Sequence, residues 1–229
     1  MISVVIPTLN AEAGLAATLS ALVPGIVAGV VRDVVVVDGG SSDRTLAIVE
    51  ASGATLVGAG LGRGTQLAAG ARAAKGDWLL FLHADTVLEL GWEREAAAFV
   101  ERVNSGARPA SAAAFHFALD DVGFLPSMLE NMVGLRCLFF RLPFGDQGLL
   151  VPRDLHDAVG GYRQMPLMED VDIVRRLGRG RIVMLRSKAV TSAARFKRDG
   201  YVMRSARNFA CLVLYYLRVP PQYIIRIYG

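Results

Sequence analysis

The sequence predicts an α/β fold, with a mostly parallel sheet flanked by helices and a helical extension at its C-terminal end. Short, continuous apolar runs at residues 2–7, 32–37 and 78–82 have the length and composition of buried parallel strands. Segments typical of helices separate these runs. Polar clusters follow the runs at their carboxyl ends, which is where open α/β sheets bind ligands.

The first part of the chain predicts a β-α-β-α-β-α-β order. The predicted strands are, in sequence, residues 2–7, 32–37, 55–57 and 78–82. Asp43 is placed to cap the helix that follows the second strand, because its side chain can accept a hydrogen bond from a free backbone N–H. An alanine-rich helix is predicted over residues 65–75, and Gly76 ends it. This alternation favours a parallel sheet with helices on both faces.

The second part of the chain is less regular. Helices are predicted at residues 92–103, 125–141 and 154–159, from 166 onward and at 199–217, and strands at 113–119, 148–152 and 181–185. Pro220 and Pro221 end the last helix. We expect one α/β domain over residues 1–195 and a basic helical extension over residues 196–229 that packs on it.

Composition and charge limit the classes of function. The 229 residues are 53% hydrophobic, which suits a single well-buried domain, and Cys137 and Cys211 are expected to be buried free thiols. Met1 is not followed by a secretory signal, and the late apolar run at residues 209–217 is about half the length that crosses a bilayer. We therefore expect a cytoplasmic protein.

The net charge of +4 is unevenly distributed. Residues 186–229 contain nine Lys and Arg and one Asp, a net +8, whereas the rest of the chain carries −4. This basic segment indicates an anionic partner, such as a phosphate, a nucleotide or a membrane surface, or else a solvated basic helix face. A nucleic-acid partner is not expected.

Asp85 directly follows the most apolar predicted strand. A carboxylate there, beside the small Ala84, can bind a hard cation such as Mg²⁺ or Mn²⁺, and that cation would bridge the phosphates of a nucleotide donor. His83 could supply a second contact. An Asp at a strand end can equally be an ordinary turn or capping residue.

Asp38 ends the second strand, and Gly39 after it allows close approach of a ligand. An acid at this place can accept a hydrogen bond from a base or a ribose hydroxyl. The glycines of residues 58–64 lack the spacing of a dinucleotide-binding loop. Arg63 among them could pair with a diphosphate or be a solvated loop residue.

Glu169 and Asp170 open a predicted helix after a proline-containing loop. A carboxylate in a cleft can act as a general base that takes the proton of an acceptor hydroxyl. Acidic residues are also common in the first turn of helices, where they interact favourably with the helix dipole. The pair by itself leaves both interpretations open.

Four motifs stand in order along the chain: VVIPTLN at residues 4–10, VVVDGGSSDRT at 35–45, FLHADT at 81–86 and MED at 168–170. Together they resemble glycosyltransferase family 2, over roughly residues 2–185. This resemblance implies a GT-A fold, which is a Rossmann-like sheet flanked by helices. It also implies an inverting, metal-dependent transfer of a sugar from a nucleotide-sugar donor.

The resemblance implies roles position by position. Asp38 matches the acid that contacts the base or ribose, and Asp85 matches the last acid of the family's D-x-D metal motif. Asp170 matches the acidic base of its E-D motif, with Glu169 beside it. His83 stands where D-x-D has its first Asp, so either the metal site is weaker or the imidazole binds the cation.

Residues 62–66, 83–86 and 144–148 are similar to a narrower group of small bacterial family 2 enzymes associated with arsenosugar and selenosugar biosynthesis. The selenosugar synthases of this group join selenophosphate to a sugar from a UDP-sugar. The family and the group together place the following residues against the nucleotide sugar: Pro7, Thr8, Asn10, Asp38, Gly39, Arg63, Gln66, His83, Ala84, Asp85, Asp146 and Gln147.

Arg195, Lys197 and Arg198 precede the long helix predicted at residues 199–217. We expect these side chains to hold anionic groups at the mouth of the site, either the donor diphosphate or an anionic acceptor such as selenophosphate. The alternatives are a helix that contacts a membrane surface and a helix that forms a homodimer or core contact.

A nucleotidyltransferase is the closest enzymatic alternative. Such enzymes usually carry a glycine-rich and basic loop after the first strand, whereas residues 8–14 contain no Lys or Arg. A non-catalytic nucleotide-binding scaffold is a third class. Within the glycosyltransferases, an arsenosugar-type enzyme and an enzyme that acts on another small molecule or on a lipid at the membrane surface also remain open.

Overall fold

The computed structural model describes residues 1–228 and contains an eight-stranded sheet flanked by helices. The strands are β1 (Ile2–Thr8), β2 (Val31–Asp38), β3 (Thr55–Gly58), β4 (Trp78–Phe81), β5 (Thr86–Leu88), β6 (Ala112–Leu119), β7 (Leu149–Pro152) and β8 (Ile182–Thr191). The helices are α1 (Leu15–Val27), α2 (Thr45–Ser52), α3 (Arg63–Ala73), α4 (Trp92–Asn104), α5 (Phe124–Phe140), α6 (Arg153–Ala158), α7 (Glu169–Leu177), α8 (Ala194–Asp199), α9 (Tyr201–Tyr216) and α10 (Pro221–Tyr228). The predicted fold class is therefore confirmed.

The strands lie in the order β3-β2-β1-β4-β7-β6-β8-β5. The first four strands along the chain are mutually parallel, as their continuous apolar sequences predicted. Beyond β4 the sheet becomes mixed, because β7 runs antiparallel to both of its neighbours. The carboxyl ends of β1, β2 and β4 consequently meet at one edge, and the polar clusters of the sequence lie there.

Helices cover both faces of this sheet. Val4 and Ile6 of β1 point to one face, where they pack in the same core as Trp92 of α4. Val5 points to the other face and shares its core with Leu67 of α3 and with residues of α7. Cys137 and Cys211 are both buried and unpaired, as predicted.

Several predicted boundaries were wrong. The strand predicted at residues 181–185 extends to Thr191, and the short strand β5 beside it was not predicted. The helix predicted from residue 166 begins at Glu169, because Met168 has a left-handed backbone with φ of 66°. The helix predicted at 199–217 begins at Tyr201, since Gly200 has φ of +80° and separates it from α8.

The C-terminal helices pack against the same core as the sheet. Cys211 of α9 and Ile224 of α10 are fully buried in the core that contains Val5. Pro221 is the first residue of α10, a position where its missing N–H costs no hydrogen bond. The division predicted after residue 195 stays a prediction, and the structure places that point inside α8.

Candidate active site

A pocket lies at the carboxyl edge of the parallel strands, where α3 and α7 begin. Five of its lining residues were predicted as site residues: Arg63, His83, Asp146, Glu169 and Asp170. Six were not predicted: Phe144, Leu167, Met168, Val171, Asn208 and Tyr228. The pocket therefore gathers one guanidinium, one imidazole and three carboxyl groups that lie far apart in the sequence.

Arg63 lies at the centre of this group. Its Nε is 3.1 Å from Oε1 of Glu169, and its Nη1 is 2.7 Å from Nε2 of His83. Burial by itself would lower the pKa of Arg63, but the nearby carboxylates of Glu169 and Asp170 raise the pKa overall. Gly64 allows this placement, because a Cβ there would lie 2.2 Å from the carbonyl oxygen of Arg163. Arg63 is therefore a fixed positive charge in the pocket.

His83 is a neutral imidazole in this arrangement. Burial, followed by the charges of Arg63 and Arg195, lowers its pKa well below the usual range. Gly145 packs against the ring so closely that a Cβ there would lie 2.6 Å from Nε2. Since Nε2 is hydrogen-bonded to Arg63, binding of a cation at that atom requires Arg63 to move. The prediction that His83 is a metal ligand stays a prediction.

Asp170 and Glu169 lie at the start of α7 but have different partners. One oxygen of Asp170 accepts a hydrogen bond from the backbone N–H of Gly145 at 2.8 Å, and the other accepts one from Val171 at 2.7 Å. Glu169 is buried and forms the ion pair with Arg63. Burial and the charge of Asp170 raise the pKa of Glu169, although Arg63 opposes this shift.

Asp146 is a buried carboxyl group in the same pocket. Burial raises its pKa to about 6, with a further contribution from Asp170 and an opposing one from Arg136. Its Oδ1 has no hydrogen-bond partner among residues 1–228. Asp146 thus keeps an acceptor atom free inside the pocket.

The carboxylate of Asp85 lies close enough to Arg63 and Asp146 to raise the pKa of both groups. Its backbone is held in place, since its carbonyl accepts the N–H of Ser192 and its Cα lies against Gly14. The described residues contain no cluster of three or more His, Cys, Asp or Glu side chains that could enclose a metal ion. Mg²⁺ is commonly held by one or two carboxylates together with substrate phosphates, and a single Asp85 fits that mode.

The loop after β2 is organised around Asp38. Its carboxylate accepts hydrogen bonds from the hydroxyl groups of Thr8 and Ser41 and from the N–H groups of Gly40 and Ser41. These four bonds lower the pKa of Asp38, although burial opposes the shift. A carboxylate has about four acceptor positions, so a base or ribose would have to replace one of these donors. The predicted contact with the nucleotide is untested.

The loop after β1 is tied to the Asp38 loop. Asn10 has a left-handed backbone with φ of 51°, and its side-chain oxygen accepts the N–H of Ser42 at 2.9 Å. Its own N–H donates to the hydroxyl of Ser41. Pro7 lies near the carboxyl end of β1 and pairs in register with Val37 of β2. The two loops thus form one preformed surface at the edge of the sheet.

Two predicted amides make hydrogen bonds within the protein. Gln66 donates to the carbonyl oxygens of Thr8 and Val37 at 2.7 and 2.9 Å and packs against Gly39. Gln147 donates to the carbonyl of Phe115 and accepts from Arg136. A further predicted residue, Ala84, is buried, and its carbonyl accepts the hydroxyl of Thr18. These contacts give the three residues structural roles in this conformation.

Residues 3–135 match the model of the family described as Glycosyl transferase family 2. This match covers more than half of the chain. The chain belongs to this glycosyltransferase family. A search of curated proteins gave no match.

Solved structures share the GT-A fold of this chain. Residues 1–349 of TarS from S. aureus superpose with a TM-score of 0.62 at 19% identity, over 99% of this chain and 69% of that one. Glucosyl-3-phosphoglycerate synthase from Mycobacterium tuberculosis, in complex with Mn²⁺, UDP and its product, superposes with a TM-score of 0.53 at 23% identity, over 83% and 70%. A mycobacterial protein gives 0.57 at 21% identity, over 84% of this chain and 65% of its own length.

The three basic residues predicted at the mouth of the site do not lie together in the structure. Arg195 is near enough to His83 to affect its pKa. Lys197 instead forms an ion pair with Asp121 at 3.2 Å, and Arg198 pairs with Asp199 at 2.8 Å. The anion-binding role is untested for all three, and Arg195 is the one whose charge acts on the pocket.

Sequence reasoning missed the contribution of the C-terminal helices to the site. Asn208 of α9 and Tyr228 of α10 both line the pocket. Neither residue lies in a motif, and a single polar position on a helix carries no signal of its location in the fold.

Among the described residues, no helix is both long and apolar enough to cross a membrane.

Proposed function

We propose that this family 2 enzyme transfers a sugar from a UDP-sugar to a small acceptor in the cytoplasm, with inversion at the anomeric carbon and with a divalent cation. The observation that best supports the proposal is that Arg63 and Asp170 line one pocket at the carboxyl edge of the parallel strands, with Asp85 near enough to raise the pKa of Arg63. In this proposal Arg63 supplies a fixed positive charge, Asp85 a metal ligand and Asp170 a base.

The donor end of the site suits a nucleoside diphosphate. The structural relatives include TarS in complex with UDP and glucosyl-3-phosphoglycerate synthase with Mn²⁺ and UDP-glucose. Arg63 provides a fixed positive charge, which favours a diphosphate through charge-assisted hydrogen bonds. Uracil is proposed by analogy with these relatives, and the loops at Asp38 and Asn10 provide the surface against which it would bind.

Asp85 is the residue that we propose holds the cation. When bound, Mg²⁺ or Mn²⁺ would neutralise the charge that develops on the departing diphosphate. Arg63 would stabilise the same charge from the side of α3, where its Nε pairs with Glu169. Because Glu169 is engaged in this ion pair, we assign it the role of positioning Arg63.

Asp170 is the proposed base for a hydroxyl acceptor. It would take the hydroxyl proton while the acceptor oxygen bonds to the anomeric carbon and the bond from that carbon to the diphosphate breaks. The N–H groups of Gly145 and Val171 fix the orientation of its carboxylate. UDP then leaves, and inversion follows from attack on the face opposite the leaving group.

The acceptor is proposed to be a small molecule, with the anion selenophosphate as the specific candidate. Support for selenophosphate is limited to the similarity of residues 62–66, 83–86 and 144–148 to the selenosugar-associated group. Arg195 would attract an anion to the pocket. Selenophosphate is already an anionic nucleophile, so its attack would need no base.

A lipid acceptor at a membrane surface is the second candidate. The observation that favours it is a set of exposed apolar side chains on α9. These residues are Val202, Met203, Phe209, Val213 and Tyr216. Flotation with anionic liposomes tests this candidate, because an enzyme that uses only small acceptors would stay with the unbound fraction.

Nucleotide binding tests the leading proposal. Thermal unfolding should shift upward with millimolar UDP and Mn²⁺, because a ligand that binds only the folded state stabilises it by mass action. The Asp85→Ala variant should show the same shift with and without chelator. A wild-type protein that shows no shift with UDP and metal would contradict the proposal.

A further inference from the structure

Two buried oxygen atoms in the pocket have no hydrogen-bond partner among the described residues. They are Oδ1 of Asp146 and Oδ1 of Asn208. Asp146 lies in the loop before β7, whereas Asn208 lies on α9, so the two atoms come from separate parts of the chain. Folded proteins rarely bury an acceptor without a donor, and such an atom in a pocket is a place where a ligand can supply the donor.

We propose that Asn208, together with Asp146, binds hydroxyl groups of the donor's sugar and that α9 forms one wall of the sugar subsite. This inference rests on the proposed function and extends it from the nucleotide to the transferred group. Asn208 is then a specificity-determining residue contributed by the C-terminal helices.

The chemistry of the two atoms selects the kind of ligand. Both are acceptors, so they need a ligand that donates hydrogen bonds. Phosphate and diphosphate oxygens accept hydrogen bonds at neutral pH, so they cannot supply the donors that these two atoms need. A sugar ring carries several hydroxyl groups, each of which donates one hydrogen bond. A hydroxyl can also accept from the amide NH₂ of Asn208.

The positions of the neighbours agree with a sugar at this place. Arg63 contributes the positive charge of the pocket and Asp170 the proposed base, and both line the same space as Asn208. A sugar whose anomeric carbon is to be attacked must lie between the diphosphate and the base. Asn208 lines this space from α9.

Calorimetric titration of the intact protein with UDP, UDP-glucose and UDP-N-acetylglucosamine in Mn²⁺ tests the inference. In wild type, at least one UDP-sugar should bind more tightly than UDP. Asn208→Ala should weaken the binding of that UDP-sugar about 10-fold, which corresponds to the upper end of the net contribution of one hydrogen bond. The affinity for UDP should stay unchanged. Asn131→Ala is the matched control, since Asn131 is exposed on α5.

The melting temperature of the ligand-free protein provides a second readout. Removing an unpaired buried oxygen should leave this temperature unchanged or raise it, whereas loss of a structural contact would lower it. The proposed sugar subsite would be contradicted if Asn208→Ala lowered the affinities for UDP and for the UDP-sugar equally, or if it changed neither affinity. Equal binding of UDP and both UDP-sugars by the wild-type protein would also contradict it. Failure of the wild type to bind any of the three nucleotides would instead contradict the proposed function.

Discussion

The two ends of the candidate site differ in how fully their buried polar atoms are hydrogen-bonded by the protein. At the sheet edge, the carboxylate of Asp38 receives four hydrogen bonds from Thr8, Gly40 and Ser41. In the pocket, Asp146 and Asn208 each have a buried oxygen that forms no hydrogen bond with any described residue. The pKa of Asp38 is accordingly lowered, whereas burial raises that of Asp146 to about 6.

This difference separates support from recognition. A carboxylate whose acceptor positions are filled by the protein fixes the shape of a loop. A buried acceptor that the protein leaves unpaired costs stability in the free protein, and a ligand can recover that cost. The comparison predicts that substitutions at the two ends have opposite effects on stability, and that catalysis depends most on the pocket.

The largest effect is expected at Asp170. Asp170→Asn should lower turnover with a hydroxyl acceptor by about 100-fold or more, because an amide cannot take the proton. Donor affinity should change little. Steady-state kinetics measures the turnover, and titration with UDP measures the affinity. Near-normal turnover would mean that another group is the base or that the acceptor, like selenophosphate, needs none.

Asp38→Ala tests the supporting end. It leaves the N–H groups of Gly40 and Ser41 without their acceptor, so the free energy of unfolding should fall by about 2–4 kcal/mol. Urea unfolding measures the change, with Glu50→Ala on the exposed side of α2 as a control. A loss of nucleotide affinity with unchanged stability would show instead that Asp38 acts on the ligand.

Asp146→Asn tests the pocket end and should have the opposite sign. The folded-state pKa of about 6 lies above the ordinary value of 3.8, so the folded protein binds more protons between these values and loses stability as pH rises through them. The isosteric amide removes this penalty and should stabilise the ligand-free protein by about 1–3 kcal/mol at pH 7.5. Urea unfolding across pH measures the gain, which should shrink as pH falls through 6. A gain independent of pH would contradict the assignment.

The smallest effect separates two neighbouring basic residues. Arg195→Ala should raise the KM for the anionic substrate by up to about 5-fold, since exposed charges contribute little. Lys197→Ala should leave KM unchanged because that side chain pairs with Asp121. Equal effects of both variants would show that the basic segment acts through its total charge.

The parts of the site that lie on local sequence signals were predictable. The runs that form β1, β2 and β4 are apolar and are followed by polar residues, so the sequence alone predicts that Asp38 and Asp85 lie at one edge of the sheet. The E-D pair at the start of α7 also has a local signature. Its partner Arg63 was predicted near the diphosphate, but its ion pair with Glu169 was not.

The remaining features depend on long-range packing. Asn208 lines the pocket because α9 packs on the core of the sheet through the buried Cys211, a contact between distant parts of the chain. The break at Gly200 was missed because one glycine does not reveal the sign of its φ angle. The sequence of β7 also does not reveal that this strand pairs antiparallel with β4, because the direction depends on the path of the chain between the two strands.

The central claim is that the chain transfers a sugar from a UDP-sugar. Incubation with a panel of UDP-sugars and small acceptors, including selenophosphate, followed by mass spectrometry, tests it most directly. We predict UDP and a glycosylated product in equal amounts in the presence of Mg²⁺ or Mn²⁺, and neither product from Asp85→Ala under the same conditions. Consumption of a nucleoside triphosphate with release of pyrophosphate, or no UDP release from any donor, would contradict the account.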